Sequence, residues 1–553
     1  MNTNNQYIKA QNLVQKKNYS KALNILETLF QKEKENINYI TTIIYCLFQL
    51  KNYKELVSYL NHFKNINPND TQNYFNLGFC YQTLQEYKNA EICYFKIIEL
   101  DNKNIQAYLN LGSMLRNLEK LNEAIEVYNL AIKNGLKSNK IYTNLSSVYI
   151  DLKDYAKASD YALKALHTMP NDYLALNNLG VINTNLKNFD AADKKFQSAL
   201  KIQSKDPLLY LNLGINYKNQ NNNIDALKCF DTCINLNKNF SKAYLYKSLI
   251  HLSKSNFKEG WENYEYRWHI QNKNIPSKLP LWEPNKNFKR ILVWGEQGLG
   301  EQILFSSIIK DLEKEIQNLT LVVHHKLKEI FQISFPNHDV YTFDENWDSN
   351  KHDCQIPFGS LPYHFRNNET DFSNRKDYLY TQEKFELNTD KKFKCGISWK
   401  SVNSIESKSK SMKLSQFSEI FKLKDHIEFY NLQYTQETDE INELEKRYKY
   451  QLQNINDLDA FNDLKKLSEV IVDLDFIITI SNTTAHLAAA LGVPSYILLS
   501  KNIGNLWYWC NNLNNKNLWY SSAQIFQQEH QGQWEEPIQK IKLLIKERFL
   551  ANE

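Results

Sequence analysis

The chain has 553 residues, enough for several domains, and its 42% hydrophobic content and net charge of +5 are typical of a soluble globular protein. Basic and acidic residues are interspersed without a long basic block, which disfavours nucleic-acid binding. The eight cysteines include no CxxC pair, the N-terminus MNTNNQYIKA has no apolar signal core, and no apolar run is long enough to span a bilayer. We therefore expect a cytoplasmic protein without a transmembrane segment.

Residues 3–274 carry a repeat with a period of 34. Small residues recur at two positions of the repeat, which are Ala10, Gly78, Gly112, Ser146, Gly180, Gly214 and Ser248, and then Ala22, Ala90, Ala124, Ala158, Ala192, Ala226 and Gly260. Small residues let paired helices approach closely, and large aromatic residues are expected to fill the gaps between neighbouring repeats. The pattern, as in NYFNLGFCYQTLQEYKNAEICYFKIIELDN (73–102), resembles the tetratricopeptide repeat. It predicts an α-solenoid of about eight helix pairs.

An asparagine lies two residues before the small residue on the first helix of five units, at Asn76, Asn110, Asn144, Asn178 and Asn212. In tetratricopeptide superhelices this helix lines the concave surface. A ladder of amides there is expected to hold an extended peptide by paired hydrogen bonds. The alternative is that these side chains contact neighbouring helices or solvent.

The repeat ends in NFKEGWENYEYRW (256–268), whose aromatic residues are expected to cap the last apolar face. We place a linker at residues 275–289, which have no periodicity and contain Pro276, Pro280 and Pro284.

Strands and helices alternate from residue 290. The first Rossmann-like lobe spans 290–390. It begins with a strand, a glycine-containing loop and an amphipathic helix in RILVWGEQGLGEQILFSSIIKDLEK (290–314), followed by strands in LTLVVHH (319–325) and DVYTF (339–343) and a less regular stretch from 350. The second lobe spans 391–534, with strands in FKCGISWK (393–400), HIEFYNLQY (426–434) and 476–500 and helices near 436–447 and 461–471. A terminal helix, 535–549, lies in the C-terminal segment 535–553. The predicted fold class is an α-solenoid followed by a pair of α/β lobes around a cleft.

The segment FIITISNTTAHLAAALGVPSYILLS (476–500) reads as a βαβ unit of a parallel sheet. Its polar turn, Ser481-Asn482-Thr483-Thr484, follows the first strand at the carboxyl end, where open α/β sheets bind ligands. Thr483 and Thr484 are expected to cap the helix, whose free N–H groups favour an anion such as phosphate. His486, in the first turn, is expected to reach the same ligand. The alternative is that this turn is empty, as most such turns are.

Two further segments carry candidate site residues. The loop Glu296-Gln297-Gly298-Leu299-Gly300-Glu301 lacks the third glycine of a dinucleotide-binding loop, since Gln302 and Ile303 follow. Glu301 is a candidate general base, or it stabilises the positive end of its own helix. In the second lobe, Ser398 and Lys400 end a strand before a loop with Lys408, Lys410 and Lys413, and Lys400 is the best candidate to neutralise a diphosphate.

Four segments together resemble the glycosyltransferase family 9, or heptosyltransferase-like, domain of bacterial tetratricopeptide-repeat proteins: GEQGLGEQILFSS (295–307), GISWKS (396–401), LSEVIVDLDFIITISNTTAHLAAALGVPSYILL (467–499) and LWYW…LWYSSAQIFQQ…GQW (506–534). The resemblance implies a GT-B fold and inverting, metal-independent sugar transfer from a nucleotide-sugar, with no tightly bound cofactor. It also implies that the first lobe is on the acceptor side and the second on the nucleotide-sugar side. It implies that Glu301 matches the family's Asp base, and that Asn482 stands where the family usually has Asp.

The function predicted from these features is transfer of a sugar from a nucleotide-sugar to a protein or glycan acceptor recruited by the repeats. Glu301 would accept the proton of the acceptor hydroxyl. The turn 481–486 and Lys400 would stabilise the departing nucleoside diphosphate. The replacements at Glu301 and Asn482 leave open a second prediction, an interaction scaffold with weak or no activity.

Overall fold

The computed structural model describes residues 3–270, 277–372, 377–401, 410–501, 507–509 and 517–550. The chain divides into two compact units, 1–216 and 217–553. Lys408 and Pro276 lie outside the described residues. Among the described helices, none has both the length and the apolar content that a membrane crossing requires.

The first unit consists of helices in consecutive pairs, as the 34-residue period predicted. The pairs continue into the second unit, so that the described residues contain eight of them. Their helices are α1 Thr3–Gln15, α2 Tyr19–Lys32, α3 Ile37–Gln49, α4 Tyr53–Ile66, α5 Thr71–Thr83, α6 Tyr87–Leu100, α7 Ile105–Asn117, α8 Leu121–Lys133, α9 Asn139–Asp151, α10 Tyr155–Thr168, α11 Tyr173–Asn185, α12 Phe189–Ile202, α13 Pro207–Asn219, α14 Asn223–Leu236, α15 Ser241–Ser253 and α16 Phe257–Tyr264.

A left-handed residue closes the first helix of every pair and keeps the period. These residues, none of them glycine, have φ between 56° and 64° and are Lys17, Lys51, Gln85, Glu119, Lys153, Lys187, Asn221 and Ser255. In the first pair, the N–H of the next residue, Asn18, donates to the carbonyl of Leu13 at 2.9 Å. This bond gives a partner to a carbonyl that accepts no hydrogen bond within the helix, and the left-handed residue turns the chain toward the second helix.

The small residues of the repeat allow an aromatic side chain to pack against the helix backbone. A Cβ built at Gly78 would lie 2.8 Å from the ring of Tyr94, and one at Gly180 would lie 2.5 Å from the ring of Phe196. In both cases the glycine and the aromatic ring belong to the two helices of the same repeat. The aromatic rings of these two contacts therefore fill space within a repeat.

The second unit contains two parallel sheets, which confirms the predicted fold class. The first sheet has the order β3-β2-β1-β4. Its strands are β1 Arg290–Trp294, β2 Asn318–Val323, β3 Asp339–Thr342 and β4 Cys354–Pro357, and the helices of this lobe are α17 Leu299–Ser306, α18 Ile309–Leu312, α19 Lys328–Ser334 and α20 Leu361–Phe365. The sequence did not predict β4.

The second sheet has the order β6-β5-β7-β8-β9. Its strands are β5 Phe393–Ser398, β6 Ile427–Asn431, β7 Phe476–Ile480, β8 Ser495–Leu499 and β9 Ala523–Gln527, and its helices are α21 Ser418–Phe421, α22 Thr438–Tyr448, α23 Leu464–Ile471, α24 Thr483–Ala490 and α25 Glu535–Phe549. The sequence did not predict β9. Both sheets are consistent with Rossmann-like lobes, whereas the exact boundaries of the lobes and linker stay predictions.

Three aromatic residues at the end of the eighth repeat, Phe257, Trp261 and Tyr264, are buried in the core of the second unit, whereas Tyr266 and Trp268 are half-buried. Trp261 is 1% exposed, its indole N–H donates to the carbonyl of Arg366 at 2.7 Å, and its ring meets that of Trp507 edge-on at 5.1 Å. We expected these residues to form an aromatic lid over the last repeat. The buried ones pack against apolar residues of the last repeat, such as Leu252, and share one hydrophobic core with both sheets.

Candidate functional site

The first turns of α17 and α24 lie next to each other in the second unit. Each helix follows the carboxyl end of a strand, β1 in one sheet and β7 in the other. A Cβ built at Gly300 would lie 2.7 Å from Cδ2 and 3.0 Å from Nε2 of His486. The structure therefore brings together the loop that carries Glu301 and the turn that carries His486, and only glycine leaves room for the imidazole.

Asn482, rather than a threonine, caps α24. Its Oδ1 accepts the N–H of Ala485 at 3.0 Å, and its Nδ2 donates to Oγ of Ser398 at 2.8 Å. The prediction that Thr483 and Thr484 cap the helix is wrong, because both lie inside α24. An aspartate could accept the N–H of Ala485 in the same way, but only an amide can also donate to Ser398 without a protonated carboxyl. Asn482 thus ties the turn to β5.

His486 is held as a neutral imidazole. It is 3% exposed, its Nδ1 is 2.7 Å from the hydroxyl of Tyr520, and its ring lies 4.7 Å from that of Trp509. Burial, with a smaller contribution from the positive charge of Lys410, lowers the pKa of His486 to about 3. At neutral pH it therefore contributes hydrogen bonding and shape to the turn, and no positive charge.

A buried chain of polar groups joins the two helices of the site. The hydroxyl of Tyr378 donates to the carbonyl of Ile303 in α17 at 3.1 Å, and its ring stacks on that of Tyr520 with centroids 6.4 Å apart. Tyr520 contacts His486 in α24. Sequence reasoning assigned no role to either tyrosine: Tyr378 lies in the less regular stretch from 350, and Tyr520 lies in the segment 506–534, which was compared with the family only as a whole.

Trp509 belongs to the core rather than to an open platform. It is 1% exposed, and its indole N–H donates to Oγ of Ser481 at 2.8 Å. This bond fixes the first residue of the turn. Trp507 and Trp519, which could also have formed a cleft wall, are buried as well.

The β1–α17 loop is fixed from both ends. Gln302 is 2% exposed, donates to the carbonyl of Gln297 at 2.9 Å and accepts the N–H of His324 at 3.0 Å, so it shapes the loop. Gly298 caps α17, and a Cβ there would lie 3.0 Å from Oε2 of Glu301. The carboxylate of Glu301 thus folds back over its own loop, from a half-buried position in the first helical turn.

Lys400 forms ion pairs with two carboxylates. Its Nζ contacts Glu437 and lies 2.7 Å from Oε1 of Glu440. Burial opposes the charge of Lys400, but the hydrogen bonds to these two residues prevail and raise its pKa. Because both partners are anionic, the local charge around Lys400 is net negative.

The asparagine ladder divides into two parts. Asn144, Asn178 and Asn212 donate to groups of the preceding repeat, which include the hydroxyl of Tyr128 at 3.1 Å for Asn144, the carbonyl of Thr143 at 3.0 Å for Asn178 and Oδ1 of Asn177 at 2.8 Å for Asn212. Asn76 and Asn110 accept from a glutamine four residues earlier in their own helix, and Asn110 also hydrogen-bonds the hydroxyl of Tyr94 in the preceding repeat. The side chains of all five except Asn76 are therefore engaged between repeats, which are contacts of the kind that the alternative prediction described.

Comparison with known proteins identifies the repeats. The family described as "Anaphase-promoting complex, cyclosome, subunit 3" matches residues 15–97, and the family described as "Tetratricopeptide repeat" matches 105–134, 140–167, 173–206 and 208–240. The chain is a tetratricopeptide-repeat protein over residues 15–240, and two parallel α/β sheets follow. Tetratricopeptide repeats suggest protein partners.

Individual relatives are distant. Protein FlbA of Caulobacter vibrioides is 23% identical over 322 residues, which are 52% of each chain, so this chain spans about half the length of that curated relative. Among solved structures, the APC/C hetero-tetramer Cut9–Hcn1 has a TM-score of 0.36 at 19% identity and covers 48% of this chain and 53% of its own. YrrB, "a TPR protein with an unusual peptide-binding site", has a TM-score of 0.26 at 23% identity and covers 34% and 98%.

Proposed function

We propose that this protein transfers a sugar from a nucleotide-sugar to an acceptor hydroxyl, with the repeats recruiting a protein or glycan acceptor. The observation that carries the proposal is the contact of Gly300 with His486. It puts the candidate base Glu301 and the candidate diphosphate-binding turn on adjacent helix N-termini. Helix N-termini favour anions, and one preorganised donor of this kind lowers a barrier by about 3–4 kcal/mol.

The reaction follows from these roles. The acceptor oxygen attacks the anomeric carbon and forms the new C–O bond, while the bond to the nucleoside diphosphate breaks and the diphosphate leaves with the electron pair. Glu301 takes the proton of the attacking hydroxyl. The backbone N–H groups at the start of α24 receive the growing charge, and the resemblance implies inversion at the anomeric carbon without a resident metal.

The donor turn works mainly through its backbone under this proposal. Neutral His486 and ion-paired Lys400 supply little positive charge to the turn. The partial positive charge at the N-terminus of α24 therefore decides how strongly the turn attracts an anion. Nδ2 of Asn482 is already used on Ser398. Under the proposal, main-chain N–H groups of α24 rather than its side chains recognise the diphosphate.

A second candidate function, the interaction scaffold, has its own supporting observation. Lys400 and Asn482, two predicted donor contacts, both have partners within the protein. A scaffold would keep the fold of both lobes and the repeats that bind partners, and would not turn over a nucleotide-sugar.

One experiment separates the two candidates. The full chain is incubated with UDP-glucose, UDP-N-acetylglucosamine, GDP-mannose and an ADP-sugar, and released nucleoside diphosphate is measured for wild type, Glu301→Gln and the exposed control Glu283→Gln. The enzyme predicts turnover that Glu301→Gln loses and Glu283→Gln keeps. Equal, negligible turnover by all three proteins, with no thermal stabilisation by any of these compounds, would favour the scaffold.

A further inference from the structure

An aromatic patch lies on the first three repeats, in the first unit. It consists of the rings of Tyr19, Tyr45, Phe48, Tyr53 and Phe79. Phe48 and Phe79, on the first helices of neighbouring repeats, have ring centroids 5.7 Å apart, and Tyr53 lies 6.3 Å from Phe48 and 5.8 Å from Phe79. Tyr19 meets Tyr45 edge-on at 6.1 Å, and Tyr45 shares a face of α3 with Phe48, three residues later.

The patch is exposed at positions where the repeat does not require aromatic residues. Tyr45 is 48% exposed, and Phe48 and Phe79 are each 38% exposed. One period after Phe79 the chain has Ser113, and two periods after Phe48 it has Arg116. Packing of the repeats therefore does not explain these rings. A contiguous exposed apolar surface of this kind marks an interaction site.

The turns next to the patch are basic. The segments 16–21 and 50–55 supply Tyr19 and Tyr53 to the patch, and they contain one acidic residue, Glu55. The same two segments contain five exposed lysines, which are Lys16, Lys17, Lys21, Lys51 and Lys54. Within the part of the chain that the structure describes, none of these lysines has an acidic partner at ion-pair distance. The patch thus combines exposed rings with positive charge that the repeats do not neutralise.

This combination fits an acidic polypeptide segment. Exposed lysines attract carboxylates, and aromatic rings receive large apolar side chains. Single-stranded nucleic acids also bind to basic aromatic surfaces, but they stack successive bases on open ring faces. The rings of Phe48, Tyr53 and Phe79 are tilted or edge-on to one another and do not form such parallel platforms. Tetratricopeptide repeats, moreover, suggest protein partners.

We propose that the aromatic patch docks an acidic polypeptide segment that carries aromatic or large aliphatic residues. The carboxylates of the segment pair with the lysines of 16–21 and 50–55, and its apolar side chains cover Phe48 and Phe79. Docking does not require the asparagine ladder, where only Asn76 makes no contact with another repeat. None of these residues belongs to the α/β lobes, so the docking goes beyond the proposed sugar transfer and does not depend on it.

The test begins with a displayed library of random peptides, each about 12 residues long, selected on the immobilised full chain without any sugar donor. The most enriched peptide is synthesised with a fluorescein label, and its affinity is measured by fluorescence anisotropy. Phe48→Ser with Phe79→Ser removes two rings of the patch. Ile92→Ser with Leu163→Ser is the matched control, at residues that are 65% and 54% exposed on second helices of their repeats.

A second pair of variants changes only charge. Lys17→Glu with Lys51→Glu reverses two charges beside the patch, at left-handed positions where the fourth repeat has Glu119 and therefore tolerates glutamate. Lys153→Glu with Lys187→Glu makes the same change at the same position of the fifth and sixth repeats. Circular dichroism and thermal unfolding verify the fold of all four variants.

The expected result is enrichment of peptides that combine Asp or Glu with aromatic or large aliphatic residues. Their affinity should fall by at least about tenfold in both patch variants and stay within about twofold in both controls. It should also fall with added salt, which screens exposed charges.

Three outcomes overturn the docking: no enriched peptide, enriched peptides without acidic residues, or equal affinity in all five proteins. Phosphatidylserine vesicles and an oligouridylate are measured on the same proteins. Binding of either that only the patch variants lose would assign the patch to a membrane or to RNA, and would also overturn the docking of a polypeptide. Peptide binding without turnover of any nucleotide-sugar would leave the docking in place and count only against the glycosyltransferase.

Discussion

Removal of the Tyr520 hydroxyl should destabilise the second unit through His486. The hydroxyl is 2.7 Å from Nδ1, and both residues are buried. Tyr520→Phe would leave a buried ring nitrogen without a partner, which costs about 1–3 kcal/mol. Each kcal/mol lowers the melting temperature by about 1–2 °C in a cooperative unit as long as residues 217–553, so a loss of about 1–5 °C is expected. Tyr363→Phe, at a tyrosine that is 39% exposed, is the control and should change stability by less than about 0.5 kcal/mol.

A double-mutant cycle shows whether this cost comes from the pair. His486→Phe removes the other partner, and replacing both polar groups by apolar ones of similar shape can be nearly neutral. The double variant should therefore recover at least about 1 kcal/mol relative to the sum of the single changes, as groups in contact do. Urea unfolding monitored by tryptophan fluorescence provides the free energies. If the two changes are additive, the hydrogen bond has no role in holding the turn and the reasoning fails.

Three further predictions concern charge and the ladder. The pKa of His486 is about 3 in the folded chain and about 6.5 in the unfolded chain, so between pH 3 and 6.5 only the unfolded chain binds the proton. The contribution of this group to the free energy of unfolding is complete above about pH 6.5 and is smaller by about 2 kcal/mol at pH 5. Urea unfolding at several pH values should show a smaller loss of stability in acid for His486→Phe than for wild type. Asn178→Ala should lower the free energy of unfolding by about 1–3 kcal/mol because it unpairs buried groups between repeats, whereas Asn76→Ala should be within about 0.5 kcal/mol of wild type; equal effects would contradict this division of the ladder. Arg267→Met removes the cation that forms an ion pair with the buried carboxylate of Glu296 and should cost about 3–5 kcal/mol in thermal or urea unfolding, and a near-neutral result would show that the pair is not desolvated.

The fold could be predicted because its signals are local and repeated. The small residues that recur every 34 positions contact aromatic rings in the structure. The strands that were predicted are apolar runs such as Ile477–Ile480. The two missed strands lack such runs. β4 has only four residues and ends in Pro357, and β9, Ala523–Gln527, contains two glutamines among its five residues and lies at the edge of its sheet.

The site was predictable only in its parts. The sequence indicated each loop separately, but the contact of Gly300 with His486 depends on how the lobes pack. The cap was misplaced because four successive polar residues, Ser481 to Thr484, are all good caps, and the partner that selects Asn482 is Ser398 on another strand. The partners of Lys400 come from the start of α22, and nothing in the sequence links them to a strand end so far away.

Because Trp261 is buried in one hydrophobic core with the two α/β lobes, the eighth helix pair cannot be removed without exposing that core. Expression of residues 290–550 alone would uncover the faces of Trp507 and Trp519 that this indole contacts, and such a fragment would aggregate. Fragments for crystallisation should therefore begin upstream of α15. For the same reason, grafts that aim to redirect the protein to new partners can exchange earlier pairs but must retain the last one.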